Sequence, residues 1–114
     1  MTAGHIVVVD WREAVHAGEP NKRRPAIVVG APPYFPEELP FEIVVPITGE
    51  AELFVPGVSI TIEPTPENGC TKRSFALSWN VQCVPHARIT ATASRVTDDQ
   101  LALIRAQIRA CVAA

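Results

Sequence analysis

The sequence has 114 residues, of which 47% are hydrophobic and 19% charged, with a net charge of −2 and a pI near 5.9. These values fit one soluble folded domain spanning residues 1–114, and no apolar run approaches the roughly 18 residues of a membrane span. The balance is wrong for a uniformly basic nucleic-acid binder, and the widely spaced Cys70, Cys83 and Cys111 make neither a disulfide framework nor a zinc motif.

Met1-Thr2-Ala3-Gly4-His5 lacks the basic and apolar regions of an export signal, so a cytoplasmic location is expected. His5, His16 and His86 do not stand at metal-ligand spacing, and no metal or cofactor is expected. Five of the ten basic residues fall in two clusters, Lys22-Arg23-Arg24 and Lys72-Arg73. The interval between them has no basic residue but holds Glu37, Glu38, Glu42, Glu50, Glu52, Glu63 and Glu67. Such segregation suggests one basic and one acidic face.

Residues 5–9 form a β-branched run of strand length that ends at Asp10. A polar segment, 11–23, carries Arg12, Glu13, His16, Glu19, Lys22 and Arg23, and connections of that length are disproportionately functional. The second strand, 24–30, opens on Arg24-Pro25, and the proline biases Arg24 towards extended geometry. Residues 31–40 hold too much proline for a helix or central strand, and their aromatic pair, Tyr34-Phe35, is expected to fold back on the core. A third strand, 41–47, leads into Thr48-Gly49. If it lies beside the second, Arg24 and Thr48 converge on one oxyanion.

Pro56-Gly57 signals a turn, 58–62 alternates apolar and hydroxyl residues as a half-buried strand does, and 64–69 is another turn cluster. Short strands are expected over 74–79, 81–84 and 90–96, with a turn over 85–88. Thr97 and Gln100 make a capping box for a closing helix whose apolar face is Leu101, Ile104, Ile108 and Cys111/Val112. Many short strands followed by one amphipathic helix indicate a mainly β, small curled barrel with the helix packed on it.

Several of these stretches, taken in order, resemble one family. Residues 4–10, Gly18-Glu19, residues 24–29 and Val45-Pro46-Ile47-Thr48 are similar in sequence and spacing to the opening of the MazF/PemK-like toxins of toxin–antitoxin systems. Residues 74–88 and 97–112 are similar to that family's later strand pair and closing helix, so the resemblance covers most of the chain. It implies an SH3-like barrel related to CcdB, a homodimer, and a metal-independent endoribonuclease that cuts single-stranded RNA. It also implies a cognate antitoxin with a disordered tail over the RNA groove. The family's catalytic arginine and threonine correspond to Arg24 and Thr48, its loop acid to Glu19, and Asn80 stands where many members carry Gln. Gly18 replaces a common serine, and the Pro-rich segment 31–40 and the acidic Glu50-Ala51-Glu52 turn depart from the pattern.

Metal-independent cleavage by the 2′-hydroxyl needs a stabilised phosphorane, which suits a planar guanidinium at Arg24 and a hydroxyl donor at Thr48. Lys22, Arg23, Lys72 and Arg73 are the candidate phosphate contacts, and Trp11, Trp79, Asn80 and Gln82 the candidate base contacts. Read singly, Arg24 could equally pair with Glu19, and Thr48 could close a turn. Two readings from other classes share the fold: a CcdB-like gyrase inhibitor without catalysis, and a degenerate member that only binds antitoxin or RNA.

Overall fold

The structure is a computed structural model that describes residues 2–11 and 23–113. The strands are β1 (His5–Asp10), β2 (Arg23–Val28), β3 (Phe41–Thr48), β4 (Ile60–Ile62), β5 (Ser74–Ala76), β6 (Gln82–Pro85) and β7 (Ile89–Arg95). A single helix, α1 (Asp98–Val112), follows them, and three 3-10 turns occupy Ala51–Leu53, Ser78–Asn80 and His86–Arg88. The order across the sheet is β4-β5-β3-β2-β1-β7, with β6 pairing β3 off that path, and every pairing is antiparallel.

The long strand β3 belongs to two ladders. Its first half, Phe41 to Val44, pairs β6, and its last residues, Ile47 and Thr48, pair β5. Only the three residues of the 86–88 turn connect β6, on the β3 side, to β7, on the β1 side. So short a connection requires the sheet to curl, and the result is the open, barrel-like fold expected from the strand pattern.

Strand alternation sends the β-branched residues to both faces. Ile6, Ile27, Val29, Val45 and Ile47 pack with Ile60, Ile62 and Ala76 and with Val96, Leu101 and Ile104 at the helix. Val7, Val9, Ala26, Val28 and Val44 form a second cluster with Val84, against which Trp11 and Ile89 pack. The capping box of α1 is present, with Gln100 N–H donating to Thr97 Oγ1 at 3.0 Å and Thr97 N–H to Gln100 Oε1 at 2.9 Å. The buried face is Leu101, Ile104 and Gln107, with Ile108 half-buried, whereas Cys111 and Val112 are exposed.

Gln107 is polar but buried because both ends of its amide are used. Its Oε1 accepts from the Ser78 hydroxyl at 2.7 Å, and its Nε2 donates to the Ser59 carbonyl at 3.1 Å. These bonds pin α1 to the turns beside β4 and β5, and they explain why those strands are shorter than the alternating sequence suggests. Ser59 and Ser78 serve the helix and lie outside the strands. β2 in turn begins a residue earlier than Arg24, so Pro25 is its third residue. Pro25 sits opposite Val8 of β1, and the β3 ladder is joined only from Ala26 onward, which spares a proline the donation it lacks.

The Pro-rich segment departs from expectation at Tyr34, which is 78% exposed, while its neighbour Phe35 packs on Gly30. A Cβ on Gly30 would lie 3.0 Å from the Phe35 ring and 2.4 Å from Glu42 Oε1. Glu42 is itself buried, with Oε1 accepting from the Ile43 N–H at 3.1 Å, so the segregated acids do not form one solvated face. Arg105 ties α1 to the end of β2 by donating to the Val29 and Gly30 carbonyls at 3.0 and 3.3 Å.

Burial pushes the Glu42 carboxyl above its ordinary range, partly offset by the Ile43 N–H and the His86 charge. A raised folded-state value favours folding fully only below the unfolded value near 4.5, and that contribution is lost as pH rises through the folded value. Glu42→Gln is therefore expected to gain stability over the parent as pH is raised from about 4 to about 7, read as the difference in urea midpoints.

Candidate nucleic-acid interface

The two ladders flanking β2 set the positions of the candidate residues. On the β1 side, Val9 lies opposite Arg24 and Asp10 opposite Arg23. On the β3 side, Val28 pairs Val44, Ile27 pairs Val45, and the last pair is Ala26 with Pro46. Carrying the same register two residues further brings Arg24 opposite Thr48. Partners in an antiparallel register share a face, so both side chains belong to the face of Val9, Ala26 and Val44, at its rim. Arg24 is exposed and Thr48 half-buried. An apolar ladder thus ends in a guanidinium and a hydroxyl.

Thr48 Oγ1 accepts a hydrogen bond from the Glu50 N–H at 3.1 Å. That bond closes the turn and fixes the hydroxyl oxygen, yet it uses only an acceptor site, so among the described residues the hydroxyl proton has no acceptor and can donate to a ligand. Behind Thr48, Phe75 is its register partner in β5, and the Phe75 ring meets Phe54 edge-on with centroids 5.6 Å apart.

Lys72 joins this rim through Gly49. A Cβ at Gly49 would lie 2.9 Å from Lys72 Cε and 3.0 Å from Nζ, so the end of the lysine side chain lies across the residue after Thr48. Arg73 points elsewhere, with Nε donating to Glu63 Oε2 at 2.9 Å in an exposed pair. Asn80 and Gln82 form a linked amide pair, Gln82 Nε2 donating to Asn80 Oδ1 at 3.1 Å. Gln82 is opposite Val44, which puts it on the Thr48 face about 13 Å along β3. Trp79 is 40% exposed and gives its indole N–H to the Leu53 carbonyl at 3.1 Å, while Trp11 is half-buried on the second cluster. Glu19, Lys22 and His16 lie outside the described residues.

Thr48 and Gln82 thus share one face of the sheet, Asn80 is linked to Gln82, and Lys72 ends against Gly49, while Arg24 would face Thr48 only where the β2–β3 register is carried beyond its last pair. Gly49 is the residue whose part was not recognised from sequence. A glycine directly after a strand-ending hydroxyl is the signal of a close approach, but only the fold reveals that Lys72 makes it.

The chain matches, over residues 2–112, the family model described as PemK-like, MazF-like toxin of type II toxin–antitoxin system. No curated protein sequence matches it significantly. Among solved structures it is similar to MazF from Deinococcus radiodurans, with a TM-score of 0.74 and 20% identity over 100% of this chain and 97% of the other. A mycobacterial endoribonuclease in complex with its cognate antitoxin superposes with a TM-score of 0.75 at 11% identity, covering 98% and 94%. The toxin MazF-mt6 of Mycobacterium tuberculosis gives 0.72 at 17% identity, covering 94% of each chain. At these identities the superpositions establish the fold.

Because the Glu50 N–H is at an exposed turn where water replaces a lost acceptor, Thr48→Val is expected to cost less than about 1 kcal/mol in urea denaturation. The variant should therefore remain folded for functional comparison.

Proposed function

Because the chain belongs to the PemK-like, MazF-like toxins of type II toxin–antitoxin systems, we propose that it is a metal-independent endoribonuclease that cuts single-stranded RNA through attack of the ribose 2′-hydroxyl. The support for this reading is the β2–β3 register, whose last pair is Ala26 with Pro46 and whose continuation by two residues would set Arg24 opposite Thr48.

The 2′-hydroxyl gives up its proton to solvent as its oxygen attacks phosphorus, forming a phosphorane whose equatorial oxygens gain negative charge, and the 5′-oxygen departs as a hydroxyl with a proton from solvent, leaving a 2′,3′-cyclic phosphate. Arg24 supplies a permanently charged planar fork that binds two of those oxygens at once. The Thr48 hydroxyl, its oxygen already anchored by Glu50, donates one further hydrogen bond to the same group. Both donors are held by the register before the reaction begins, so little reorganisation is needed as charge develops.

Lys72, Lys22 and Arg23 bind flanking phosphates in this reading, while Arg73, already paired with Glu63, contributes least. Asn80 and Gln82 lie at a distance suited to base edges further along the strand, and Glu19 is assigned to RNA binding in this reading as the counterpart of the family's loop acid. The active assembly is a homodimer acting in the cytoplasm. A cognate antitoxin with an acidic, disordered segment would silence it by covering the same basic rim.

Purified protein is expected to cleave long single-stranded RNA at one short motif in EDTA, leaving 2′,3′-cyclic phosphate ends. Arg24→Ala should lower kcat/KM about 10²–10³-fold or more, and Thr48→Val about 10-fold to 10²-fold. Absence of cleavage across varied RNAs, beside inhibition of DNA gyrase, would favour the non-catalytic alternative. Substrate affinity in the uncleavable 2′-deoxy analogue should also fall with salt, with a log–log slope of about −0.7 per phosphate neutralised. Lys72→Ala is expected to reduce that slope by about one such unit, and Arg73→Ala by much less.

A further inference from the structure

A second concavity opens on the other face of the same strand ends. It is a cleft of about 270 Å³ floored by Ile6, Pro25 and Ile47 and rimmed by Thr71, Lys72 and Ser94. Pro25 directly follows Arg24, and Ile47 directly precedes Thr48, so strand alternation turns the floor away from the reacting face. Lys72 lines the cleft, and the end of its side chain crosses Gly49, the residue after Thr48.

The cleft is firmly built. Asn68 holds its outer wall by accepting from the Thr65 and Cys70 N–H groups at 3.0 and 2.9 Å and donating to the Glu63 carbonyl at 2.8 Å. Gly69 stands at φ 66°, and a Cβ there would strike Ser94 Oγ at 2.6 Å, so this wall approaches β7 only because the residue is glycine. Two hydroxyls are committed, Thr92 to the Ile6 carbonyl and Ser74 to the Lys72 carbonyl. The side chains of Thr71 and Ser94 make no hydrogen bond among the described residues, and no described lining residue is acidic.

We propose that this cleft receives one nucleobase of the RNA, beside the phosphate held at Arg24 and Thr48, and so sets sequence preference at that position. The proposal rests on the nuclease reading above. Its volume, just under the roughly 300 Å³ lower end of small-molecule sites, suits one ring system rather than a whole nucleotide. A stiff apolar floor gives a bare anion no donor and offers a surface for the flat face of a base. Hydroxyls that donate or accept can meet its edge. Lys72, reaching over Gly49, would hold the backbone that joins base and scissile phosphate. The strand end would then be gripped from both sides by one nucleotide step.

Cys70 lines the cleft and provides a probe that does not depend on cleavage. In a Cys83→Ser, Cys111→Ser background, which removes the two exposed thiols, alkylation of Cys70 by iodoacetamide is timed with each of the four ribonucleoside 5′-monophosphates. At about twice its Kd, the preferred nucleotide should slow the reaction about threefold. Thr71→Trp, at an exposed rim position, should abolish that protection. With randomised RNA the same variant should change the preference at one base beside the cut by about tenfold while cleavage continues. Lack of protection by all four nucleotides, or an unchanged preference in an active Thr71→Trp variant, overturns the proposal and leaves the nuclease reading intact. Protection without any cleavage by the parent protein keeps a nucleotide site in the cleft and overturns the nuclease reading instead.

Discussion

A strand buried on both faces has room for polar side chains only at its ends, and this constraint organises the molecule. From Ala26 to Val29, at the end of β2 and one residue past it, and at Val44, Val45 and Ile47 on β3, apolar residues enter one cluster or the other. The single register that pairs Val28 with Val44 therefore generates two polar extremities. At one, Glu42 faces Gly30, and at the other, beyond the last pair of Ala26 with Pro46, stand Arg24 and Thr48. The first is closed over by the Pro-rich segment and by Phe35. The second is left open.

The two ends differ in what desolvation does to charge. Glu42 is shut in with one backbone donor, beside a His86 whose Nε2 is buried without a hydrogen-bond partner among the described residues. Its charge is a cost to folding, tolerated because the missing Cβ of Gly30 makes space for the carboxylate. Arg24 keeps its charge in water at the strand mouth, where it costs folding little and is available to an incoming anion. An exposed guanidinium gains its full electrostatic value only when a ligand excludes the water around it, and the stiff ladder beneath holds it in place until then.

Periodicity made the β-rich architecture and the terminal helix legible, because β-branched alternation and the Thr97–Gln100 capping box are local signals. It failed where a polar residue serves a distant element. Gln107 interrupts the apolar face that Leu101, Ile104 and Ile108 begin, and its partners, Ser59 and Ser78, are remote in sequence. The same pairing truncates two strands that looked longer. Tyr34 failed for a related reason: an aromatic in a proline-rich stretch carries no period, so nothing local distinguishes a core contact from an exposed ring. Arg24 and Thr48 could be singled out as strand-end residues, but their register could not, since it depends on a connection, 31–40, whose path only folding decides.

Clustering in sequence also proved a poor guide to charge in space. Lys72 and Arg73 are neighbours, yet one crosses Gly49 to reach the Thr48 rim and the other pairs with Glu63 in solvent. An exposed pair of that kind contributes little to stability, but it removes a cation from the field an anionic strand would meet. With a net charge of −2, attraction for a polyanion must come from local placement rather than total charge. The consequence is geometric: the end of the Lys72 side chain lies over Gly49, so replacing that glycine would displace one ammonium at the strand end without altering the overall charge.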